Sequence, residues 1–176
     1  MEYLIETEDI GGFVIASSKW FNNFSEELSY SLDIVLDING KTDLAADYLK
    51  QDWKKVWSHH ANYFVTMCNC GEVAMLLLQE GVYTLIFHKD YIDYSNSVHF
   101  ANLKIDNDVY LAEIGGFLED YLSQEKYEEF QKIECLSGLY ELYYVQSKED
   151  EEVIINLFSK KVQSFDNSKI SHLIYV

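Results

Sequence analysis

Proline and arginine are both missing from this 176-residue chain, and cysteine occurs only three times. Without proline, turns fall to glycine, asparagine and aspartate. Without arginine, all thirteen basic side chains are lysine, and the planar fork that grips phosphate or carboxylate at two points is lost. That weakens the case for a phosphoryl-transfer or nucleotide-dependent enzyme. Cys68, Cys70 and Cys135 are odd in number and form no C-x-x-C pair, which reads as reduced thiols instead of a disulfide framework. No apolar run approaches the length of about eighteen residues needed to span a membrane. The opening MEYLIETEDIGG has neither the basic nor the apolar region of a secretory leader. The expectation is a cytoplasmic protein without membrane contact.

What the chain has in excess is acid. Thirty aspartates and glutamates against thirteen lysines give a formal charge of -17, a field that repels nucleic acid and anionic lipid and draws cations in. Hydrophobic residues make up 48% of the sequence, enough at this length to bury roughly 70% of the unfolded surface. No repeat, low-complexity tract or linker interrupts it, so residues 1–176 are expected to form a single domain.

Hydrophobic periodicity sketches the elements. Leu28, Tyr30, Leu32, Ile34, Leu36 and Ile38 alternate with polar residues, predicting a half-buried strand. Thr42 is placed to cap a helix whose apolar positions run from Leu44 through Trp53, Val56 and Trp57 to His60. VAMLLLQ and VYTLIFH flank Glu80 and Gly81 as one hairpin, and VHFANLKI and VYLAEI flank Asp106 to Asp108 as a second. Gly115 and Gly116 then release the chain into a helix, or two short ones, reaching about Ile133, with Leu118, Tyr121, Leu122, Phe130 and Ile133 facing inward. GLYELYYVQ resumes strand character, Ser147 and Asp150 form a capping box before a helix through Val153, Ile154, Leu157 and Phe158, and HLIYV closes as a strand. Grouped hairpins with inserted helices predict an α+β fold: a largely antiparallel β-sheet built from hairpins with about three helices packed on it.

Several chemistries can be weighed. His59, His60, Cys68 and Cys70 are ligand types that zinc accepts, but adjacent histidines on a helix point about 100 degrees apart, and the cysteines share a face only if Asn69 turns away. The structural reading is preferred, and no metal or other cofactor is expected. No nucleophile signature surrounds Cys135, and thirty carboxylates make any acid/base pairing easy to find by chance. The segment DNDVYLAEIGGFLED fails the calcium-loop spacing. Glycines before a helix could bare N–H groups to a phosphate, yet in GGFLEDYLSQEKYEEF the acids Glu119 and Asp120 follow at once and themselves complete the helix dipole. No catalytic residue is assigned.

The excess charge is concentrated. Eleven acids lie between Asp90 and Glu134 against three lysines, interleaved with tyrosines. Carboxylates beside aromatic rings suit a surface that grips a cationic protein, the acids steering encounter and the rings acting as buried anchors. The partner-binding residues expected on this basis are Asp90, Tyr91, Asp93, Tyr94, Asp106, Asp108, Glu119, Asp120, Glu125, Glu128 and Glu129.

Small size, strong acidity, fourteen tyrosines and the lack of a catalytic signature together resemble the immunity proteins of bacterial toxin systems, including those of contact-dependent growth inhibition. The resemblance is one of overall profile. It implies a non-enzymatic, stoichiometric inhibitor that binds one cognate toxin, often a basic nuclease, and covers its active site without touching nucleic acid itself. Two alternatives are a nucleic-acid mimic that blocks restriction or CRISPR proteins, and a small hydrolase using carboxylates or the His59 to Cys70 region.

Overall fold

The computed structural model describes residues 1–7, 11–40, 53–88, 95–106, 108–149, 152–166 and 169–176. In chain order the elements are β1 (Glu2–Thr7), β2 (Gly11–Ser17), α1 (Ser18–Asn22), α2 (Glu26–Gly40), α3 (Trp53–Cys70), β3 (Val73–Leu78), β4 (Gly81–His88), β5 (Val98–Ile105), β6 (Val109–Glu113), α4 (Ile114–Ser123), β7 (Gln131–Ile133), β8 (Gly138–Glu149) and β9 (Glu152–Val162). The fold is α+β, with two sheets. One has the strand order β1-β4-β9-β8-β5 and the other β3-β2-β6-β7. Among the described strands every ladder is antiparallel except that of β4 with β9.

Why two sheets form is visible in β3, VAMLLL, where all six residues are buried. A strand apolar on both sides has to be covered on both. The core lies between the sheets, where Phe13 of β2 meets Phe100 of β5 edge to face at 6.3 Å. Ile15, Leu76, Leu85, Leu111 and Ile155 are buried around them. Helix α3 packs on β3 and β5, α2 on α3, and α4 on β2. Gly12 has φ +143, and a Cβ there would fall 2.2 Å from the Leu76 carbonyl oxygen, so β2 and β3 can approach this closely only with glycine at that position. No described helix is long and apolar enough to cross a membrane.

Pairing differs from expectation in ways that share one cause. β3 and β4 do not form a hairpin: β3 pairs with β2, β4 with β1 and β9. β5 and β6 likewise belong to opposite sheets. Both short connections are arches between sheets, and local sequence does not distinguish an arch from a hairpin when each flanking strand is largely apolar. The hairpin that does form joins β8 to β9, with Glu149 opposite Glu152 and Leu139 opposite Val162. This overturns the helix expected after Ser147, because VIINLF satisfies helical and alternating patterns alike and the long ladder to β8 decides between them.

The reverse exchange occurs at α2. The strand expected over Leu28 to Ile38 is a helix, in which Ser29 and Ser31 are buried while Tyr30 is 61% exposed. Serine is small enough to sit at a helix interface, and Ser25 Oγ accepts from Leu28 N at 3.3 Å as a capping interaction ahead of Glu26 and Glu27. The expected helical start near Thr42 lies outside the described residues. From Trp53 that helix runs on past His60 to Cys70, so the two cysteines stand on its last turn and not on a strand. The segment at HLIYV pairs with β3 through a single parallel bridge, Leu77 to Tyr175, backed by bonds between Leu77 and both Ile174 and Val176.

A buried polar latch closes the fold. The Asn69 carboxamide donates to the Ile170 carbonyl at 2.8 Å and accepts from Ile170 N at 3.0 Å. Asn102 Nδ2 donates to the Asn69 carbonyl at 2.8 Å, joining α3, β5 and the C-terminal segment. Beside it, Lys169 donates to Glu141 at 2.9 Å and Tyr143 to Glu141 at 2.6 Å. Burial pushes the Glu141 carboxyl up, but these two bonds outweigh it and hold the carboxyl below its ordinary value. Replacing Asn69 by alanine strands both backbone groups of Ile170 and is expected to cost about 2–4 kcal/mol in denaturant unfolding. The exposed Asn62→Ala control should stay within about 0.5 kcal/mol of wild type.

Candidate protein-docking face

Construction of the face starts at Glu113, the last residue of β6 and the N-cap of α4. Its carboxylate accepts from Gly115 N at 2.8 Å and, through the other oxygen, from Gly116 N. Burial outweighs these hydrogen bonds and raises the carboxyl above its ordinary value. The glycine pair therefore does start a helix, as its sequence suggests. The N–H groups that would cradle a phosphate are filled by this preceding acid, not by Glu119 or Asp120.

The Glu113 backbone N–H donates to the Tyr127 phenol oxygen at 3.1 Å, which fixes the segment after the helix. Helix α4 stops at Gln124, in the left-handed region at φ 60, well short of the expected Ile133. Residues 125–130 then fold back in irregular conformation to reach β7. Tyr127 is buried in that return, and its phenol is pushed up to about 12, by desolvation first and then by the neighbouring carboxylates of Glu113, Glu129 and Asp120. Three acids thus converge on one ring.

Tyr127 belongs to an aromatic cluster. Phe130 packs against Tyr127 and Phe21 at 4.8 Å each, Phe117 against Phe21 at 5.3 Å and Tyr127 at 5.7 Å, and Tyr121 against Phe24 at 5.0 Å. Edge-to-face contacts dominate, as the ring quadrupole prefers. Over these rings opens a groove of about 530 Å³ whose rim carries Glu125, Lys126 and Glu128. Leu122 and Phe130, expected to face inward, are instead 59% and 36% exposed: Leu122 lies on α4 away from its buried face of Ile114, Phe117 and Leu118, and Phe130 lies beyond the end of the helix, at the groove. From Glu113 to Phe130 six acids face one lysine, a net of -5.

The expected contact residues separate into three sets. Asp90, Tyr91, Asp93 and Tyr94 lie outside the described residues. Asp106 and Asp108 are paired with Lys104 at 2.8 Å and Lys132 at 2.9 Å. Glu119, Asp120, Glu125, Glu128 and Glu129 lie on α4 and the segment that folds back from it. The aromatic floor includes Phe21, Phe117 and Phe130, which charge-based reading missed. A sequence signal existed in the spacing of WFNNF against GGFLEDY, but only the fold brings those stretches together.

Other chemistries fare as geometry dictates. His60 and Cys70 are ten residues apart on one helix, roughly 15 Å along its axis, and Cys68 is buried with its thiol pushed up to about 12 by desolvation. His60 Nδ1 meets Ser31 Oγ at 3.1 Å instead. Among the described residues no three His, Cys, Asp or Glu side chains are grouped to hold an ion. The Cys135 thiol is raised by burial and by Asp108, which favours the unreactive protonated form.

Glu113 gives a pH signature with a definite sign. Its folded carboxyl titrates above the ordinary 4.5, so its contribution is fully present below that value and is lost as pH rises through the folded pKa. Glu113→Gln is expected to remove this segment of the stability curve, leaving the variant less sensitive to pH there when melting temperatures are measured from pH 4 to 7. Glu113→Ala, which removes the cap itself, should destabilise by about 1–2 kcal/mol at any pH. Comparison of the chain with protein-family models, with curated proteins and with solved structures found no match.

Proposed function

We propose that this protein is a cytoplasmic inhibitory binding protein of the immunity type, which captures one cationic toxin domain, a basic nuclease, and occludes its active site. The observation that carries this reading is the coincidence on one face of an open aromatic groove and an excess of carboxylates: Phe21, Phe117, Tyr121 and Phe130 beneath, Glu125 and Glu128 at the rim, with Lys126 at 3.7 Å from Glu128. Ring faces and carboxylates both attract a lysine or arginine side chain. Such a side chain would be steered by the field of the whole protein and anchored by the rings.

A nuclease groove is shaped to attract phosphates, so a folded acidic surface competes with its substrate directly. Steering of this kind raises association toward about 10⁸ M⁻¹s⁻¹ at low salt, against roughly 10⁵ to 10⁶ without it. A nucleic-acid mimic would need evenly spaced charge, about one per 1.7 Å along an axis. Here the acids bunch around rings, and Asp106 and Asp108 are each held by a lysine, which favours a protein anchor over a mimic.

The test is stopped-flow association with a candidate basic nuclease toxin domain that co-purifies with the protein from its native host. A one-to-one complex is expected, with a rate that falls steeply between low and physiological salt. Glu125→Lys together with Glu128→Lys should slow association by about tenfold or more while leaving the melting temperature unchanged, and Phe130→Ala should speed dissociation. Association indifferent to ionic strength and to both charge reversals would reject the proposal.

A further inference from the structure

A second opening lies between the sheets and is independent of the acidic face. It is a cavity of about 410 Å³ whose walls include Leu103, Ile105, Val109, Ile133, Leu136 and Leu142, with Glu134 and Cys135 beside Leu136. The walls come from both sheets, and residues 134–137, which connect β7 of one sheet to β8 of the other, form its lip. The lip is held from outside: Tyr140 donates to the Leu136 carbonyl at 2.9 Å and Lys161 to the Ser137 carbonyl at 3.1 Å. Leu136 is 77% exposed.

Protein interiors are packed nearly as densely as crystals, with few voids larger than a water molecule. A volume of this size falls in the range of about 300–1,000 Å³ typical of small-molecule sites. Water would fill it poorly, since each water needs two to four polar partners and the polar groups here are engaged or at the edge. His88 meets Asn156 at 2.8 Å and stacks on Phe158; the Tyr140 hydroxyl serves the lip. An apolar body therefore suits the interior.

Charge selects the head group. Glu134 lines the cavity at the lip and is exposed, while the Met1 ammonium, at the cavity as well, donates to the Phe87 carbonyl at 3.0 Å. It also contributes, after burial, to the raised pKa of the Tyr3 phenol, and Asp108 does the same for Cys135. Within a molecule of charge -17, a carboxylate-headed amphiphile would meet repulsion at the entrance and an ammonium-headed one attraction. We infer that this cavity binds a small alkyl- or arylammonium ligand, with the hydrocarbon between the sheets and the cation at Glu134.

The native thiols supply the readout, because Cys135 lines the cavity while Cys70, also exposed, lies on α3 away from it. Iodoacetamide labelling followed by peptide mass spectrometry measures both rates in one sample, with octylammonium, octanol or octanoate added at equal concentrations below micelle formation. Octylammonium is expected to slow alkylation of Cys135 by about fivefold or more without changing Cys70, and octanoate to leave both within about twofold. Glu134→Lys, a surface exchange that leaves the core intact, should transfer protection from octylammonium to octanoate. No protection of Cys135, equal slowing of both thiols, protection by octanoate in the wild type, or an unchanged preference in Glu134→Lys would each overturn the assignment.

Discussion

One half-buried carboxylate organises the acidic side of this molecule. Glu113 is a strand end, a helix cap and a neighbour of Gly12 at once, so a single side chain fixes β2, β6 and the start of α4 relative to one another. Its own backbone N–H then seats Tyr127, and Tyr127 holds Phe117 and Phe130 in place. The desolvation that this position imposes is only partly offset by hydrogen bonds from the Gly115 and Gly116 N–H groups. A side chain at Gly116 would place its Cβ 3.2 Å from the Glu113 carboxylate, tighter than ordinary contact, so small residues and the cap depend on each other.

The negative charge has two structural roles. Asp106, Asp108 and Glu141 are neutralised by Lys104, Lys132 and Lys169. The first two pairs are largely exposed and contribute little to stability, whereas Glu141 is mostly covered and belongs to the latch around Lys169. Of the acids on α4 and the segment after it, Glu125 and Glu128 rim the aromatic groove, Glu128 in an exposed pair with Lys126 at 3.7 Å. Local helix energetics accounts for few of them, and their repulsion works against the folded state.

How much of this could be read from the chain depended on which property was asked of it. The apolar runs at 73–78, 81–88, 98–105 and 109–113 identify themselves as strands, and the Gly115–Gly116 step identifies a helix start. Partner choice was not legible, since an apolar strand carries no mark of which sheet will cover it. Two elements exchanged type for the same reason: Ser29 and Ser31 disguised a helix as an alternating strand, while VIINLF fitted both periods and took the one its neighbour β8 enforced. The α1 residue Phe21 gave no local hint of a role, because its position under the groove is set by contact with Phe117, nearly a hundred residues away. Acid content was visible in composition; its placement over rings needed the fold.

The parallel ladder of β4 with β9 has a temporal consequence. β4 lies between β1 and β9, and β9 ends at Val162, so the five-stranded sheet remains split until the residues of β9 have emerged from the ribosome. β1 and β4 can form an isolated two-stranded ribbon early, but such a ribbon is marginal on its own. Closure over such sequence separations makes for slow acquisition of the native state. During that interval the half-built sheet presents an unpaired edge at β4, and a surplus of like charge keeps nascent copies apart.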